Sequence, residues 1–263
     1  MTENNEYINN EIKFLAKSGI RLTILNELKR KPHTIREIVK STGINYSSVS
    51  SNITKLEKAN YITKVNKRYQ ITPLSELYLN TLMEFKQSVD FIVNFEEFWI
   101  RHNINQINEE SLKNITDLNY SKLVKTTPLD IYKTHNVIKN QLETTKSLKA
   151  IFPYMHPDYP KLIENILVMK GCVEIIMPRN FYKTIVTPID TSLRKEAIAE
   201  DRLKICLVDD KLNLDLSICD KNMHLGLFKN DGSFDQNRIL TSNHPKSIQW
   251  AENLFENIRN VVI

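Results

Sequence analysis

Between residues 46 and 58 the chain sets out Tyr46, Ser47, Ser48, Ser50, Ser51, Thr54, Lys55 and Lys58, with hydroxyls first and ammonium groups after them. A few residues later Lys64, Asn66, Lys67 and Arg68 crowd into one short segment. The chemistry on offer is hydrogen bonding to heteroatoms combined with positive charge. Hydroxyls reach base edges and phosphate oxygens, and lysines neutralise phosphates, so the set suits double-stranded DNA. The first group contains no arginine, so bidentate reading of guanine is not expected from it.

These side chains are useful only if the backbone presents them together. Thr34 can cap a short helix whose Ile35, Ile38 and Val39 share one face. Gly43 sits where a left-handed residue would end that helix. Asn45 can cap the next helix, in which Val49, Ile53 and Leu56 form the buried stripe. At about 100° per residue, Ser47, Ser50, Ser51, Thr54, Lys55 and Lys58 fall on the opposite face. Taken alone, that face favours a solvated polar surface, and it is the hairpin behind it that reverses the reading. The segments Tyr61–Val65 and Tyr69–Thr72 then read as two strands, with Asn66, Lys67 and Arg68 at or near their turn. Two helices and a hairpin with a basic tip are the layout of a winged helix-turn-helix. Upstream, residues 3–17 suggest a helix through Ile8, Ile12 and Leu15, and Ser18 can cap another that carries Ile20, Ile24, Leu25 and Leu28 and ends at Pro32. Residues 1–72 hold 13 Lys+Arg and 6 Asp+Glu, a net of +7, whereas the whole chain is only +5. Positive charge is therefore concentrated on the motif, and binding should weaken steeply with salt.

Pro73 restarts a helix, and Leu74, Leu77, Tyr78, Thr81, Phe85, Val89 and Ile92 follow helical spacing along it. Such a stripe can pair two copies, as a two-fold operator requires, or it can dock on the C-terminal part. Phe95, Phe98, Trp99 and Ile100 read as a packing cluster, residues 104–128 as short helical turns, and Pro128 as the start of a helix carrying Ile131, Val137, Ile138 and Leu142. From about residue 149 strands alternate with helices: Ala150–Tyr154, helix 158–169 to Gly171, Cys172–Met177, helices to about 200, and Leu203–Val208. Crossovers of this kind imply a partly parallel sheet. Segments 214–219 and 223–229 read as an antiparallel pair, and 247–260 as a last helix. Ligands on such sheets bind beyond the carboxyl ends of the parallel strands. That places Tyr154, His156, Asp158 and Tyr159 after the first strand, and Arg179 and Asn180 after the second, as a site for a small anionic or hydroxylated effector. The plainer alternative is that Pro157 and Pro160 shape a turn, Asp158 caps a helix, and Arg179 pairs with it.

Four segments, F-W-I-R-H at 98–102, I-F-P-Y-M-H-P-D-Y-P at 151–160, L-G-L-F-K-N-D-G-S-F-D at 225–235 and I-Q-W-A-E-N-L-F at 248–255, resemble one family. It is the archaeal regulators that join a winged helix to a methanogenesis-regulator-type middle domain. The resemblance covers nearly the whole chain and implies a DNA-binding regulator with an effector or partner domain; separately, a signal at the α/β domain is expected to alter the spacing of two reading heads through residues 73–100. It carries over no catalytic set. By analogy the second domain is expected to be phospholipase-D-like but non-catalytic. The His-x-Lys-x4-Asp pattern is missing, because Val137, Asp158 and Gly226 stand two residues after His135, His156 and His224. A nuclease or phosphodiesterase targeted by the winged domain is the enzymatic alternative, and this missing signature weighs against it. No phosphate loop, H-E-x-x-H or G-x-S-x-G occurs.

The expected architecture is α+β with two domains. A winged helix-turn-helix occupies 1–72, a helical linker or dimerisation region 73–128, and an α/β domain with a mixed sheet 129–263. No cofactor and no metal is expected. Cys172, Cys206 and Cys219 form no C-x-x-C and read as buried thiols in a reducing compartment. His102 and His135 read as isolated histidines on helices. The polar N-terminus lacks a signal core, and no apolar run approaches ~20 residues, so the expectation is a soluble, cytoplasmic homodimer.

Overall fold

The computed structural model describes residues 10–105, 107–209 and 212–262, with side chains from residue 13 onward. The chain divides into two compact units, Met1–Lys86 and Gln87–Ile263.

The first unit holds α1 (Asn10–Ala16), α2 (Gly19–Arg30), α3 (Ile35–Thr42), α4 (Tyr46–Lys58), β1 (Ile62–Val65) and β2 (Arg68–Ile71). Of the residues expected to bury the first helix, Leu15 is buried, Ile8 lies outside the described residues, and nothing is described of the Ile12 side chain. Ser18 caps α2 by accepting from the Arg21 amide. Thr34 and Glu37 form a reciprocal capping box at the start of α3, which satisfies two otherwise orphaned amides. Gly43 ends α3 at φ 71°, a left-handed conformation that glycine enters without a Cβ penalty. Ile24, Leu25, Leu28, Ile38, Val49, Ile53 and Leu56 meet in one core, which β1 and β2 close from the side with Ile62 and Tyr69.

The helix α5 (Pro73–Asn94) begins in the first unit and ends in the second. The second unit continues with α6 (Glu96–Arg101), α7 (Glu109–Lys113), a 3-10 turn at Ile115–Tyr120, β3 (Lys122–Lys125), α8 (Lys133–Glu143), β4 (Ser147–Ile151), α9 (Tyr159–Val168), β5 (Cys172–Pro178), α10 (Tyr182–Ile185), α11 (Thr191–Ala199), β6 (Leu203–Val208), β7 (Leu214–Cys219), β8 (Met223–Leu227), β9 (Arg238–Ser242) and α12 (Pro245–Val262). The strands form one mixed sheet in the order β3-β9-β8-β7-β4-β5-β6. Only β4, β5 and β6 run parallel to one another; the other pairings are antiparallel.

Alternation along the central strands sorts side chains into two cores. Leu148, Ala150, Ile175 and Met177 face α8, α9, α10 and α11, with Leu162, Ile166, Ile185 and Ala197 opposite them. Ile151, Ile176, Leu216 and Leu225 point the other way, into a core with Trp250, Leu254 and Phe255 of α12.

Several expectations need correction. Residues 95–128 are no helical linker: Phe98, Ile107 and Leu118 belong to the α12 core, and β3 pairs with β9 as an edge strand. Four residues, Lys-Leu-Val-Lys, carry too little alternation to announce a strand. Pro128 starts no helix; Thr127 and Asp130 close a turn, α8 begins at Lys133, and Ile131 is exposed. Ile100 is exposed rather than packed. Among the cysteines only Cys219 is buried, with its thiol pushed up to about 12 by desolvation, whereas Cys172 is exposed. No helix among the described residues is long and apolar enough to cross a membrane.

Gly171 ends α9 for a reason that differs from the one at Gly43. Here Lys170 takes the left-handed conformation at φ 59°, and a Cβ on Gly171 would stand 2.4 Å from the Lys146 carbonyl oxygen and 2.7 Å from the Ile166 side chain. We predict that Gly171→Ala destabilises the second unit by about 1–3 kcal/mol, the usual cost of forcing atoms into a packed site. Urea unfolding monitored by Trp250 fluorescence checks this, and an unchanged midpoint contradicts it.

Candidate nucleic-acid interface and effector cavity

Asn45 caps α4 by accepting from the Ser48 amide at 2.8 Å. The helix buries Val49, Ile53 and Leu56 and leaves Tyr46, Ser47, Ser51, Thr54, Lys55 and Lys58 exposed. The Ser47 hydroxyl donates to the Asn45 side chain at 2.8 Å, and that of Thr54 donates to the Ser50 carbonyl at 3.1 Å. Ser48 and Ser50 are only half-exposed. Sequence reasoning overlooked Arg36 and Lys40, which are exposed on the neighbouring α3. The signal available was their polar character between the apolar positions of that helix.

The β1–β2 hairpin turns on two residues. Asn66 (φ 50°) and Lys67 (φ 66°) are both left-handed, and Val65 pairs with Arg68 across the turn. Two consecutive positive φ values match the twist of a tight hairpin, and they put the Lys67 side chain at the tip. The Lys64 ammonium lies 5.4 Å from the centre of the Tyr69 ring. Arg68 turns inward instead: its guanidinium donates to Glu37 at 2.9 Å and to the Pro32 carbonyl at 3.0 Å. Main-chain hydrogen bonds between His33 and Tyr69, at 3.0 and 2.7 Å, add a second tie between the wing and the start of α3. Arg68 is thus a strut of the wing as well as a cation.

The Glu37 carboxyl is held below its ordinary range, first by the Thr34 amide and hydroxyl and then by Arg68, with desolvation opposing them.

In the second unit the residues expected to form one effector site separate into two. Tyr154, Met155, His156 and Pro157 line a cavity of about 410 Å³ together with His135 and Phe234. Arg179 and Asn180 line a different cavity, of about 660 Å³, with Pro153, Phe181 and Asp209. Arg179 pairs with Asp209 at 2.8 Å rather than with Asp158. Asp158 makes no capping hydrogen bond; its Oδ2 lies 3.2 Å from His135 Nε2 and 3.5 Å from Lys139 Nζ. Desolvation raises the Asp158 carboxyl, yet Lys139 and His135 together hold it below the usual range. His156 stacks on His135 with ring centres 3.9 Å apart and accepts the Asp158 amide on Nδ1 at 3.1 Å. Burial, and then the neighbouring His135, push the His156 imidazole down. His135 is therefore not an isolated helical histidine. His102 is not isolated either, since it bridges the Phe98 carbonyl (2.6 Å) and the buried Asp235 carboxylate (3.1 Å).

Tyr159, expected at the surface of the site, is buried. Its hydroxyl meets that of Tyr154 at 3.0 Å, and burial followed by the charge of Asp215 raises both phenols. Asp215 and His224, 3.4 Å apart, are both fully buried on the face of β7 and β8 opposite Leu216 and Leu225. Polar residues within apolar alternation are the sequence signal for such a buried pair, and sequence reasoning missed it.

Residues 131–261 match the family described as the methanogenesis regulatory protein FilR1, middle domain. Residues 9–92 match that of the HVO_A0261 N-terminal domain. Over 248 residues the chain is 23% identical to methanogenesis regulatory protein FilR1 of Methanothrix harundinacea (strain 6Ac), covering 93% of this chain and 56% of the relative. The chain thus spans about half the length of that relative. Among solved structures, that of TrmBL2, an archaeal chromatin protein, aligns over 96% of this chain and 97% of its own at 11% identity with a TM-score of 0.42. HmgR of Pseudomonas aeruginosa aligns over 95% and 96% at 12% identity with a TM-score of 0.26. These matches do not support the phospholipase-D-like analogy for the second domain.

Glu37→Gln should keep the capping box, because glutamine at this position still reaches back to the Thr34 amide, while removing the charge that holds Arg68. We predict a melting temperature below wild type at pH 7. A lowered folded-state pKa means the charge contributes fully above the ordinary carboxylate value of ~4.3 and is lost as pH falls through the lowered one, so the two proteins should converge only in that acid window. Equal melting at pH 7 would show that the wing does not lean on this contact.

Proposed function

With residues 131–261 belonging to the middle-domain family of the methanogenesis regulatory protein, we propose that this chain is a DNA-binding transcriptional regulator. In this reading it works as a homodimer and answers to a small molecule or partner through its C-terminal domain. The observation that carries the DNA reading is the pairing of an exposed hydroxyl-and-lysine face on α4 with a two-residue hairpin tip bearing Lys67. α4 would enter the major groove with Tyr46, Ser47, Ser51 and Thr54 nearest the bases. Lys55, Lys58, Lys64, Asn66 and Lys67 would meet phosphates.

A stripe on α5 supports the homodimer. Leu74, Leu77, Phe85, Val89 and Ile92 recur on one side of the helix, and Leu77 and Phe85 are 67% and 65% exposed. An apolar row of this length in contact with water favours self-association. Paired heads would also match a two-fold operator. The 410 Å³ cavity beside α8 is the better effector site of the two, because aromatic walls, amides and two histidines converge on it. In the cavity that holds Arg179 and Asn180, the cation is already committed to Asp209.

Two measurements test this reading. Lys55→Ala and Lys67→Ala should each weaken binding to a promoter fragment about equally across sequences and reduce the salt slope by about 1. Unchanged slopes in both variants would remove the helix face and the hairpin tip from the interface. Leu77→Glu combined with Phe85→Glu should convert dimers to monomers in sedimentation velocity with little change in melting, since both side chains are exposed. A wild-type chain that sediments as a monomer at micromolar concentration overturns the homodimer.

A further inference from the structure

We propose that His135, His156 and Asp158 form a binding site for a divalent transition-metal ion of the zinc class, beside the 410 Å³ cavity that His135 and His156 line. The proposal deepens the effector reading of that cavity and rests on it, but metal binding is measured without DNA, so the two can fail separately.

Three side chains from two elements converge here. His135 comes from α8, while His156 and Asp158 come from the loop between β4 and α9. One ligand atom from each lies within 4.8 Å of the others, and all three residues are half-buried. Zinc bonds to imidazole nitrogen and carboxylate oxygen run about 2.0–2.1 Å, so tetrahedral ligand atoms stand about 3.3 Å apart. His135 Nε2 and Asp158 Oδ2 are already 3.2 Å apart. His156 would complete the set by rotating its ring out of the stack on His135.

The donor chemistry is consistent with such an ion. Asp158 takes no part in capping α9, so its carboxylate is not committed to the helix. His135 can pass its ring proton from Nε2 to Nδ1 and present the Nε2 lone pair to the ion, with no net proton gained or lost. His156 Nδ1 now accepts the Asp158 amide and would exchange that hydrogen bond for a metal bond. Two imidazoles and one carboxylate, with no sulfur, favour zinc, cobalt, nickel or iron over magnesium and calcium, which prefer all-oxygen sets. Three protein ligands leave a coordination position open, as in non-structural zinc sites. His135 and His156 both line a cavity whose wall also includes Gln236 and Asn237, and a donor atom of a small effector held there would complete the shell.

Lys139 supplies an internal control. Its ammonium sits 3.5 Å from the same Asp158 oxygen and competes with any cation placed there. A structural hydrogen bond between His135 and Asp158 gives no reason for metal affinity to rise when Lys139 is neutralised, whereas a metal site does.

The test uses the full chain treated with chelator, then titrated with Zn²⁺ by calorimetry and with Co²⁺ by visible absorption. One ion per chain is expected, with ligand-field bands of a low-coordinate nitrogen–oxygen site for cobalt. Affinity should fall at least tenfold in His156→Ala and in Asp158→Asn, and rise several-fold in Lys139→Gln. Metal-free melting of each variant shows whether it is folded, and Lys139→Gln keeps the proposal testable should a ligand variant fail to fold. Absence of saturable uptake at stoichiometric ion overturns the proposal. So does uptake that is the same in wild type and in a folded His135→Ala, His156→Ala, Asp158→Asn triple variant, or a Lys139→Gln chain that binds no more tightly.

Discussion

Strands β4 and β5 carry buried apolar side chains on both faces, and most of the second unit follows from that. Leu148 and Ala150 face one way while Ile151 faces the other; Ile175 and Met177 alternate with Ile176 in the same manner. A strand that is apolar on both sides must be covered on both, and a parallel neighbour must be reached by a crossover. α9 supplies that crossover on one face and α12 covers the other. Once both faces are closed, space for a ligand remains chiefly where strands end and loops begin. The two cavities lined by the expected effector residues lie at such ends, one at Pro153, Pro178 and Val208 and one at Tyr154–Pro157.

The first unit obeys a different constraint. Its helices are short, so their ends matter as much as their middles. The turns of the motif are fixed by a few residues with definite conformational roles. Thr34 and Glu37 start α3, Gly43 ends it, and Asn45 starts α4. Glu37 has a second role, since the carboxylate that closes the capping box also receives Arg68 from the hairpin. A single acidic side chain thereby sets both where α3 begins and where the wing lies. On α4 and at the hairpin tip the positive charge left outward is carried by lysines, which neutralise phosphate as point charges and place little demand on geometry.

How much of this was legible in the sequence depended on whether a residue's partners were local. The caps at Ser18, Thr34 and Asn45, the glycine at 43 and the apolar stripe of α4 are decided within a few positions, and each stands where spacing put it. The strands 203–208 and 214–219 were equally readable, because their length and alternation exceed what a loop would carry. β3 and β9 were not, since four or five residues with flanking lysine, arginine or serine become strands only through distant neighbours, β3 through β9 and β9 through β3 and β8. Arg68 looked like a free wing cation because its partner lies 31 residues away.

The expected effector residues show the limit most clearly. The rule that ligands sit beyond the carboxyl ends of parallel strands selected two loops that line cavities, but it does not say which loops share one. Residues at adjacent strand ends were grouped by sheet order, whereas the structure groups them by what lies opposite. α8 places His135 and Lys139 against the loop after β4, and Asp158 turns to them. The loop after β5 finds Asp209 instead, at the end of the next parallel strand. Local charge balance explains the division. Each anion pairs with the nearest cation rising from its own layer, and a guanidinium already paired at 2.8 Å has little to gain from a second carboxylate farther away. The cluster of His135, His156 and Asp158 is therefore a property of the α8 layer meeting the sheet edge, which is why two histidines so far apart in the chain gave no sign of each other before the helix was placed.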